Sequence, residues 1–471
     1  MKANIFFGSQ EVQREDLQDI VNPFTKKVVS QYPLCTKEDT LKALKIAQDA
    51  SVDTRNSTLA SRVQWLEDVA KALETNKEDL AQTLCDEVGK PITFARVEVD
   101  RCIETIKISI TAALNLQGHT INTDAMNSGK KTTAYYFREP VGVVACITPF
   151  NFPLNLVAHK IAPALAVGNA VVLKPTPEAP RTAYKFAKLF IQSAYAIKDA
   201  LSVVYGDVEV GSTLVSSDIP RVLSFTGSVP VGNIITKTAG IKKVALELGG
   251  NAATYIDKSA DLKQAAQRCA FGAFINSGQV CISLQRIYVN EDVYEEFAFY
   301  MKVETEKLIV GSPYDEDTFV GPLINEESLQ RAKSWVESAI DEGAVCLTGN
   351  KNDGLNFYPT VMTQVTDDMK IICEEVFAPI VSLVSVKSYD EAIVKMNNSP
   401  YGLQFSIFTN DLKLTQRFID DAQCGGVVIN DIPTLRFDIQ PYGGTKLSGI
   451  GKEGPHFAVE EFTEIKSVVI C

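Results

Sequence analysis

Histidine is scarce in this 471-residue chain: His119, His159 and His456 stand against ten cysteines that never form a C-x-x-C pair. That leaves little from which to build a zinc site, and no metal is expected. Long apolar runs are missing too. No stretch offers the roughly 18 consecutive apolar residues of a membrane span, for the uncharged run 140–159 is broken by prolines and asparagines. The opening MKANIFFGSQEVQRED becomes charged before an apolar run reaches signal-peptide length. A cytoplasmic chain with reduced thiols and no membrane partner is expected. Positive charge is also in deficit, for 46 Lys and Arg against 58 Asp and Glu give a net charge of −12. Such a balance disfavours phosphate backbones, so nucleic acid is not an expected partner. The chain has no repeat, no low-complexity tract and no linker rich in Gly, Ser or Pro.

What the chain does have is apolar content, 45% of its residues, and at roughly 150 residues per domain its length suggests two or three domains with buried cores. From Tyr136 onward short apolar runs alternate with helical patterns: VGVVACI, a loop, LNLVAHKIAPALAVG, then NAVVLK ending at Lys174. A further helical stretch, APRTAYKFAKLFIQSAYA, leads to LSVVYG, RVLSFTGS and KKVALELGG, each run closing in glycine or a small polar turn. Repeated strand-helix-strand units predict a doubly wound parallel sheet whose ligands bind at the carboxyl ends of the strands. Chemistry is therefore expected in TPFNFP, KPTPEAP, FTGSVPVG and ELGGN. After Asn251 a second alternation predicts a second α/β domain, through DLKQAAQRCAFGAFINSG, QRIYV, a long helix near 334–342 and PIVSLVSV. KKTTAYYFREP and EFTEIKSVVI read as strands without a helix neighbour, of the kind that pairs at a sheet edge or between subunits. Amphipathic packing helices are expected over 37–50 and 59–86.

Several residues carry chemical potential, and each also fits a plain structural role. SFTGSVPVG sets Gly227 and Gly232 between a strand and a helix. The G-x-G-x-x-G fingerprint is absent, but backbone amides at a helix start still suit a phosphate, and a plain turn suits the residues equally well. Lys174 ends a buried strand, where it can reach ribose hydroxyls or phosphate, or simply solvent. Cys281 follows Gly278 in FINSGQVCISLQR, a segment of small residues that leaves a reactive sulfur uncrowded, though cysteine is more often inert core. Glu247, after an apolar strand and before paired glycines, is partly buried by this reading, which would raise its pKa toward general-base duty. Asn151 offers an amide donor on a proline-bounded loop, suited to an oxyanion or to a turn.

In order along the chain, PFNFPL, VVLKP, FTGS with Gly232, LELGG, GQVC, EEVFAPI and PYGGTKLSGIGKEG resemble the aldehyde dehydrogenase superfamily, over essentially its whole length. The resemblance implies an α/β fold: a Rossmann-type cofactor domain with a five-stranded sheet, an α/β catalytic domain and a small β oligomerisation domain. Their implied boundaries are 1–118 with 139–249, 250–441, and 119–138 with 456–471. It implies Cys281 as nucleophile, Glu247 as general base, Asn151 as oxyanion donor and Lys160 as a helper beside them. Its cofactor contacts carry over to Thr148, Pro149, Phe150, Lys174, Gly206, Gly211, Phe225, Thr226, Gly227, Ser228, Gly232, Leu248, Gly249, Glu375 and Phe377. The implied activity is oxidation of an aldehyde to its acid through a cysteine thiohemiacetal and thioester, in a homodimer or homotetramer.

The cofactor that the resemblance implies is NADP or NAD. Pro177 stands where many NAD-preferring relatives carry a glutamate that repels a 2′-phosphate, so NADP use is expected. Within the superfamily the chain resembles the lactaldehyde, non-phosphorylating glyceraldehyde-3-phosphate and phosphonoacetaldehyde types. They suggest a small polar or anionic substrate met by Arg101, His159 and Arg436, the last near a tunnel mouth. Val280, just before the cysteine, departs from phosphate-handling relatives that have arginine there. Arg101 also has Glu98 and Asp100 as local pairing partners. Two other functions fit the fold: a CoA-acylating aldehyde dehydrogenase, which usually lacks the glutamate base, and a non-catalytic protein that kept the architecture.

Overall fold

Five parallel strands form where the alternation begins: β1 (Val143–Ile147), β2 (Ala170–Lys174), β3 (Leu201–Val203), β4 (Val222–Thr226) and β5 (Lys243–Glu247). In the computed structural model, which describes residues 2–471, they lie in the order β3-β2-β1-β4-β5. Helices cover both faces, which is why these strands read as unbroken apolar runs. The order reverses between β1 and β4, so the crevice for a ligand opens beyond their carboxyl ends. Three antiparallel strands extend the sheet, Gln10–Val12 lying outermost on Ile5–Phe7. Ile5–Phe7 adds to β3, and Gly449–Ile450 adds to β5 through the pairs Leu246↔Ile450 and Glu247↔Gly449. The second addition draws the segment between 441 and 456 to the end of β5.

Six more parallel strands make the second sheet: β6 (Ala252–Ile256), β7 (Leu284–Asn290), β8 (Thr360–Thr363), β9 (Ile380–Val386), β10 (Gln404–Phe408) and β11 (Gly426–Ile429). Their order is β8-β9-β7-β6-β10-β11, with Val345–Thr348 antiparallel on β8. Each sheet has its own core, around Val144, Val172 and Leu223 in one and Ile287, Val381 and Phe297 in the other. The two strands without helix neighbours pair with each other, antiparallel from Thr133↔Ile470 to Pro140↔Thr463, with His119–Asn122 on the other side. Among the described residues no helix is long and apolar enough to cross a membrane.

Two helices position the site. Helix α1 (Ile92–Leu114) packs on α2 (Asn155–Ala166), and every residue of α2 is buried. His159 and Lys160 lie on α2, so the partners of His159 Nε2 and Lys160 Nζ lie inside the protein, while His159 Nδ1 has none among the described residues. The stretch expected as one helix over 59–86 is two, Leu59–Thr75 and Lys77–Val88. Asn76 breaks it by turning its side-chain Nδ2 back to the Ala72 carbonyl at 2.8 Å, a local bond that competes with the helical ladder. The helix expected near 334–342 starts earlier and spans Glu326–Asp341, because Asn325 caps it by accepting from the Ser328 N–H at 2.9 Å.

Candidate functional site

A cavity of about 730 Å³ lies beyond the carboxyl ends of β1, β4 and β5, walled on its other side by residues that lead into β7. Cys281 is on its wall, and no other cysteine is. The approach to it is strained. Helix α3 (Leu262–Phe274), started by Asp261 accepting from the Gln264 N–H at 3.0 Å, runs into Asn276, Ser277 and Gly278 at φ of 52°, 57° and 68°. Left-handed backbone is costly for Asn and Ser and free for Gly. Gly278 is also required by space, for a Cβ there would sit 2.2 Å from the Ala378 carbonyl oxygen. This turn delivers the thiol to the cavity.

The Cys281 Sγ lies 2.9 Å from the hydroxyl of Tyr442. Burial pushes the thiol up to about 12, with the Tyr442 bond and Arg436 pulling it down and Glu375 and Glu247 pushing it up. Glu247, at the end of β5, is 3% exposed, and its Oε2 has no hydrogen-bond partner among the described residues. Burial first, then the charge of Glu453, raises its carboxyl well above the usual range, against Arg436, Lys160 and Lys452. Gly443 passes so close that a Cβ on it would be 2.7 Å from Glu247 Oε1. Glu453 is the opposite case. It accepts from Lys160 Nζ at 2.6 Å, Thr226 Oγ1 at 3.3 Å and Arg436 Nη2 at 3.4 Å. Burial works to raise its pKa, but Lys160 and Arg436 outweigh it and hold the carboxyl at about 2.

Asn151 follows β1 on a loop pinned from two sides. Its carbonyl accepts from Lys90 Nζ at 2.7 Å and from Asn276 Nδ2 at 3.2 Å, the second bond tying the loop to the cysteine turn. Lys90 is itself paired with Glu98 of α1, whose other oxygen accepts from the Leu154 and Asn155 amides at 2.9 and 3.1 Å. The Asn151 Nδ2 makes no hydrogen bond to a described residue, and Asn151 lines the cavity. An amide donor left free beside a thiol is suited to a developing oxyanion.

The three residues expected to meet the substrate come together around Asp438. Arg101 grips it side-on, Nε to Oδ2 at 2.9 Å and Nη2 to Oδ1 at 2.7 Å, in place of Glu98 or Asp100. His159 Nε2 lies 2.8 Å from the same Oδ1, and Asn155 Nδ2 donates to it at 3.3 Å. Burial works against the Asp438 charge, yet His159 and Arg101 hold its carboxyl well below the usual carboxylate range. Arg101 and Arg436 line the cavity and His159 does not. His159 is 1% exposed, and burial, with Arg436 beside it, lowers its pKa. Arg436 is not at a mouth. Its guanidinium is buried 3.7 Å from the centre of the Tyr442 ring, between two carboxylates that hold the charge inside.

The expected dinucleotide contacts divide into three groups. Pro149, Phe150, Thr226, Gly227, Ser228, Leu248, Gly249, Glu375 and Phe377 share the cavity wall. Lys174, Gly206 and Gly211 lie outside that wall, with Gly211 placed so that a Cβ would be 4.0 Å from the Lys174 side chain. Thr148, Phe225 and Gly232 are buried behind it. The residues fit a dinucleotide. Ser228 occupies the N-cap of the helix Val229–Thr238, whose first amides face no helical partner. Lys174 is 8% exposed and its Nζ bonds to no described residue, while burial lowers its pKa against Glu178 and Asp207. The Glu178 carboxylate accepts from the Thr176 hydroxyl. Glu375 takes the Gly250 amide at 3.0 Å, and burial raises it to about 7.

Tyr442, Glu453 and Asp438 were given no role by the sequence reading. Tyr442 and Glu453 are both in PYGGTKLSGIGKEG, which marks the family resemblance, and Asp438 stands three residues before it. An ionisable group inside a glycine-rich motif was the available signal.

The chain matches the aldehyde dehydrogenase family over residues 10–468. A 3-sulfolactaldehyde dehydrogenase of Priestia megaterium is 42% identical over 98% of this chain and 96% of its own. A lactaldehyde dehydrogenase of Methanococcus aeolicus is 38% identical over 99% of each. The solved structure of glyceraldehyde-3-phosphate dehydrogenase GapN from Methanocaldococcus jannaschii, complexed with NADP, superposes with a TM-score of 0.93 at 39% identity, covering 98% of this chain and 100% of that one. A thiol, a free amide donor and a raised carboxylate around one cavity, on a scaffold shared at full length with these enzymes, make this chain a member of the aldehyde dehydrogenase family, an NAD(P)-dependent aldehyde dehydrogenase.

Proposed function

We propose that the enzyme oxidises a small 2-hydroxyaldehyde with a polar or anionic head to its carboxylic acid. The observation that carries this reading is the company of Cys281, Asn151 and Glu247 on one cavity wall with Arg101 and Arg268. Arg268 is held side-on by Asp431 at 2.7 and 3.1 Å, as Arg101 is held by Asp438. In both, Nη1 makes no hydrogen bond to a described residue. Two fixed guanidinium groups with spare donors suit a sulfonate, phosphate or carboxylate. The substrates named for the three relatives share a 2-hydroxyaldehyde, with an anionic head in two of them.

Cys281 attacks the carbonyl as its thiolate, and the oxyanion is met by the Asn151 Nδ2 and the Cys281 backbone N–H. Pro149, Phe150, Gly227, Ser228, Glu375 and Phe377 would hold a dinucleotide, which would supply the acceptor for the hydride of the thiohemiacetal carbon. Glu247 then takes a proton from water as that water attacks the thioester, releasing the acid and the thiol. A carboxylate whose pKa is raised by burial is the stronger base. Lys160 acts through Glu453, fixing the carboxylate whose charge raises Glu247. Glu247 in this position favours water over CoA as the acyl acceptor. Glu178, turned to Thr176, and Pro177 leave Lys174 available to a 2′-phosphate, which favours NADP use. We infer a homo-oligomeric enzyme, with the exposed strand Thr463–Ile470 as its contact edge.

The test is kcat/KM for sulfolactaldehyde, glyceraldehyde 3-phosphate, lactaldehyde and hexanal, with NADP and with NAD. The hydroxyaldehydes are expected to exceed hexanal by about 100-fold, NADP to be used at least comparably to NAD, and Arg101→Ala to cost the anionic substrates about 10-fold or more. Hexanal as the best substrate, indifferent to Arg101→Ala, would contradict the reading.

A further inference from the structure

Tyr442 touches the reacting sulfur, and its phenol is held in place by the backbone around it. Its N–H donates to the Glu453 carbonyl at 3.0 Å, and the Glu453 N–H donates back to the Tyr442 carbonyl at 2.6 Å. Tyr442 shares a small buried cluster with Val280, Ile282 and Leu403, and the Arg436 guanidinium lies 3.7 Å from its ring centre. The hydroxyl, 2.9 Å from Cys281 Sγ, is that sulfur's hydrogen-bond partner among the described residues.

We propose that the Tyr442 hydroxyl is a catalytic hydrogen-bond donor to the Cys281 thiolate, which stabilises the ionised sulfur and keeps it aimed into the cavity. The proposal rests on Cys281 being the nucleophile. With a neutral thiol either atom can donate. A thiolate has no proton, so the phenol alone can donate, and the bond becomes charge-assisted. The charged and titratable groups that act on the sulfur are Tyr442, Arg436, Glu375 and Glu247. The two carboxylates oppose ionisation, and Tyr442 and Arg436 favour it. Arg436 stacks on the phenol, where its charge makes the O–H a better donor. Burial raises the Tyr442 pKa well above its ordinary value, so the phenol keeps the proton it donates. The bond is strongest before attack, when the charge is on sulfur, and weakens as charge passes to the carbonyl oxygen near Asn151.

Tyr442→Phe removes the hydroxyl and leaves the packing volume of the ring. The experiment alkylates the full-length enzyme with iodoacetamide across about pH 6 to 10, following Cys281 by peptide mass spectrometry alongside loss of activity. Dinucleotide binding and the melting temperature report that each variant is folded. In wild type, Cys281 is expected to be the cysteine whose alkylation tracks inactivation. In Tyr442→Phe the alkylation rate of Cys281 is expected to fall several-fold at every pH in this range, as for a thiol whose pKa has risen by about one unit. An alkylation rate unchanged or raised across this range would overturn the proposal while leaving Cys281 as nucleophile. Inactivation of wild type without modification of Cys281 would overturn the nucleophile assignment, and the proposal with it. No aldehyde enters the measurement, so the result is independent of which substrate the enzyme takes.

Discussion

The cavity has a saturated side and an unsaturated one. Around Glu453 and Asp438 buried carboxylates have three or more partners each, and both are held below the ordinary range. Around Glu247 and Cys281 the opposite holds: one carboxylate oxygen has no partner, the thiol has a single phenol, and burial raises both groups. The two glutamates are electrostatically linked, since the charge fixed on Glu453 is the second cause of the raised Glu247 pKa. The lesson is a division of labour. Saturated groups have nothing left to exchange and set positions and potentials, whereas unsaturated groups are available to substrate and water.

Removing the sulfur should break the unsaturated side most severely. Cys281→Ala is expected to lower turnover by more than about 1,000-fold while dinucleotide affinity stays within a few-fold, because only the covalent step requires the sulfur. Steady-state assays and dinucleotide titration check it, and residual turnover of several per cent would count against a thiol mechanism. Breaking the saturated side should have a smaller catalytic effect and a larger structural one. Glu453→Gln leaves Lys160 buried without its carboxylate, which should cost about 3 kcal/mol in urea unfolding. It also withdraws a charge that raises the Glu247 pKa, so Glu247 should remain a base to lower pH. The acid limb of steady-state kcat is expected to move down by about one unit. A limb that stays put or moves up would show that the two sides are not coupled as described.

The sheets were legible because their physics is local. An apolar run between helical patterns predicts each of β1 to β5, with glycine or a small polar turn closing β3, β4 and β5, and the cavity opens at the carboxyl ends where chemistry is expected. The saturated side was not legible. Arg101 had Glu98 and Asp100 nearby in sequence but pairs with Asp438, 337 residues away. Tyr442 and Glu453 lie in a segment without helical or strand periodicity, and its place is set by the two pairs that Gly449–Ile450 makes with the end of β5. A partner chosen by the return of a distant loop leaves no spacing to read. Residue types alone, a tyrosine and a glutamate among glycines, could have marked it.

The central claim, that the unpartnered carboxylate at the end of β5 completes the reaction begun at Cys281, is tested most directly by rapid mixing of Glu247→Gln with aldehyde and dinucleotide. The account predicts a fast burst of about one reduced dinucleotide per active site, followed by a steady state at least about 100-fold slower than wild type, because acylation and hydride transfer proceed while hydrolysis waits for a base. A variant that turns over at the wild-type rate would contradict it and remove Glu247 from the chemistry.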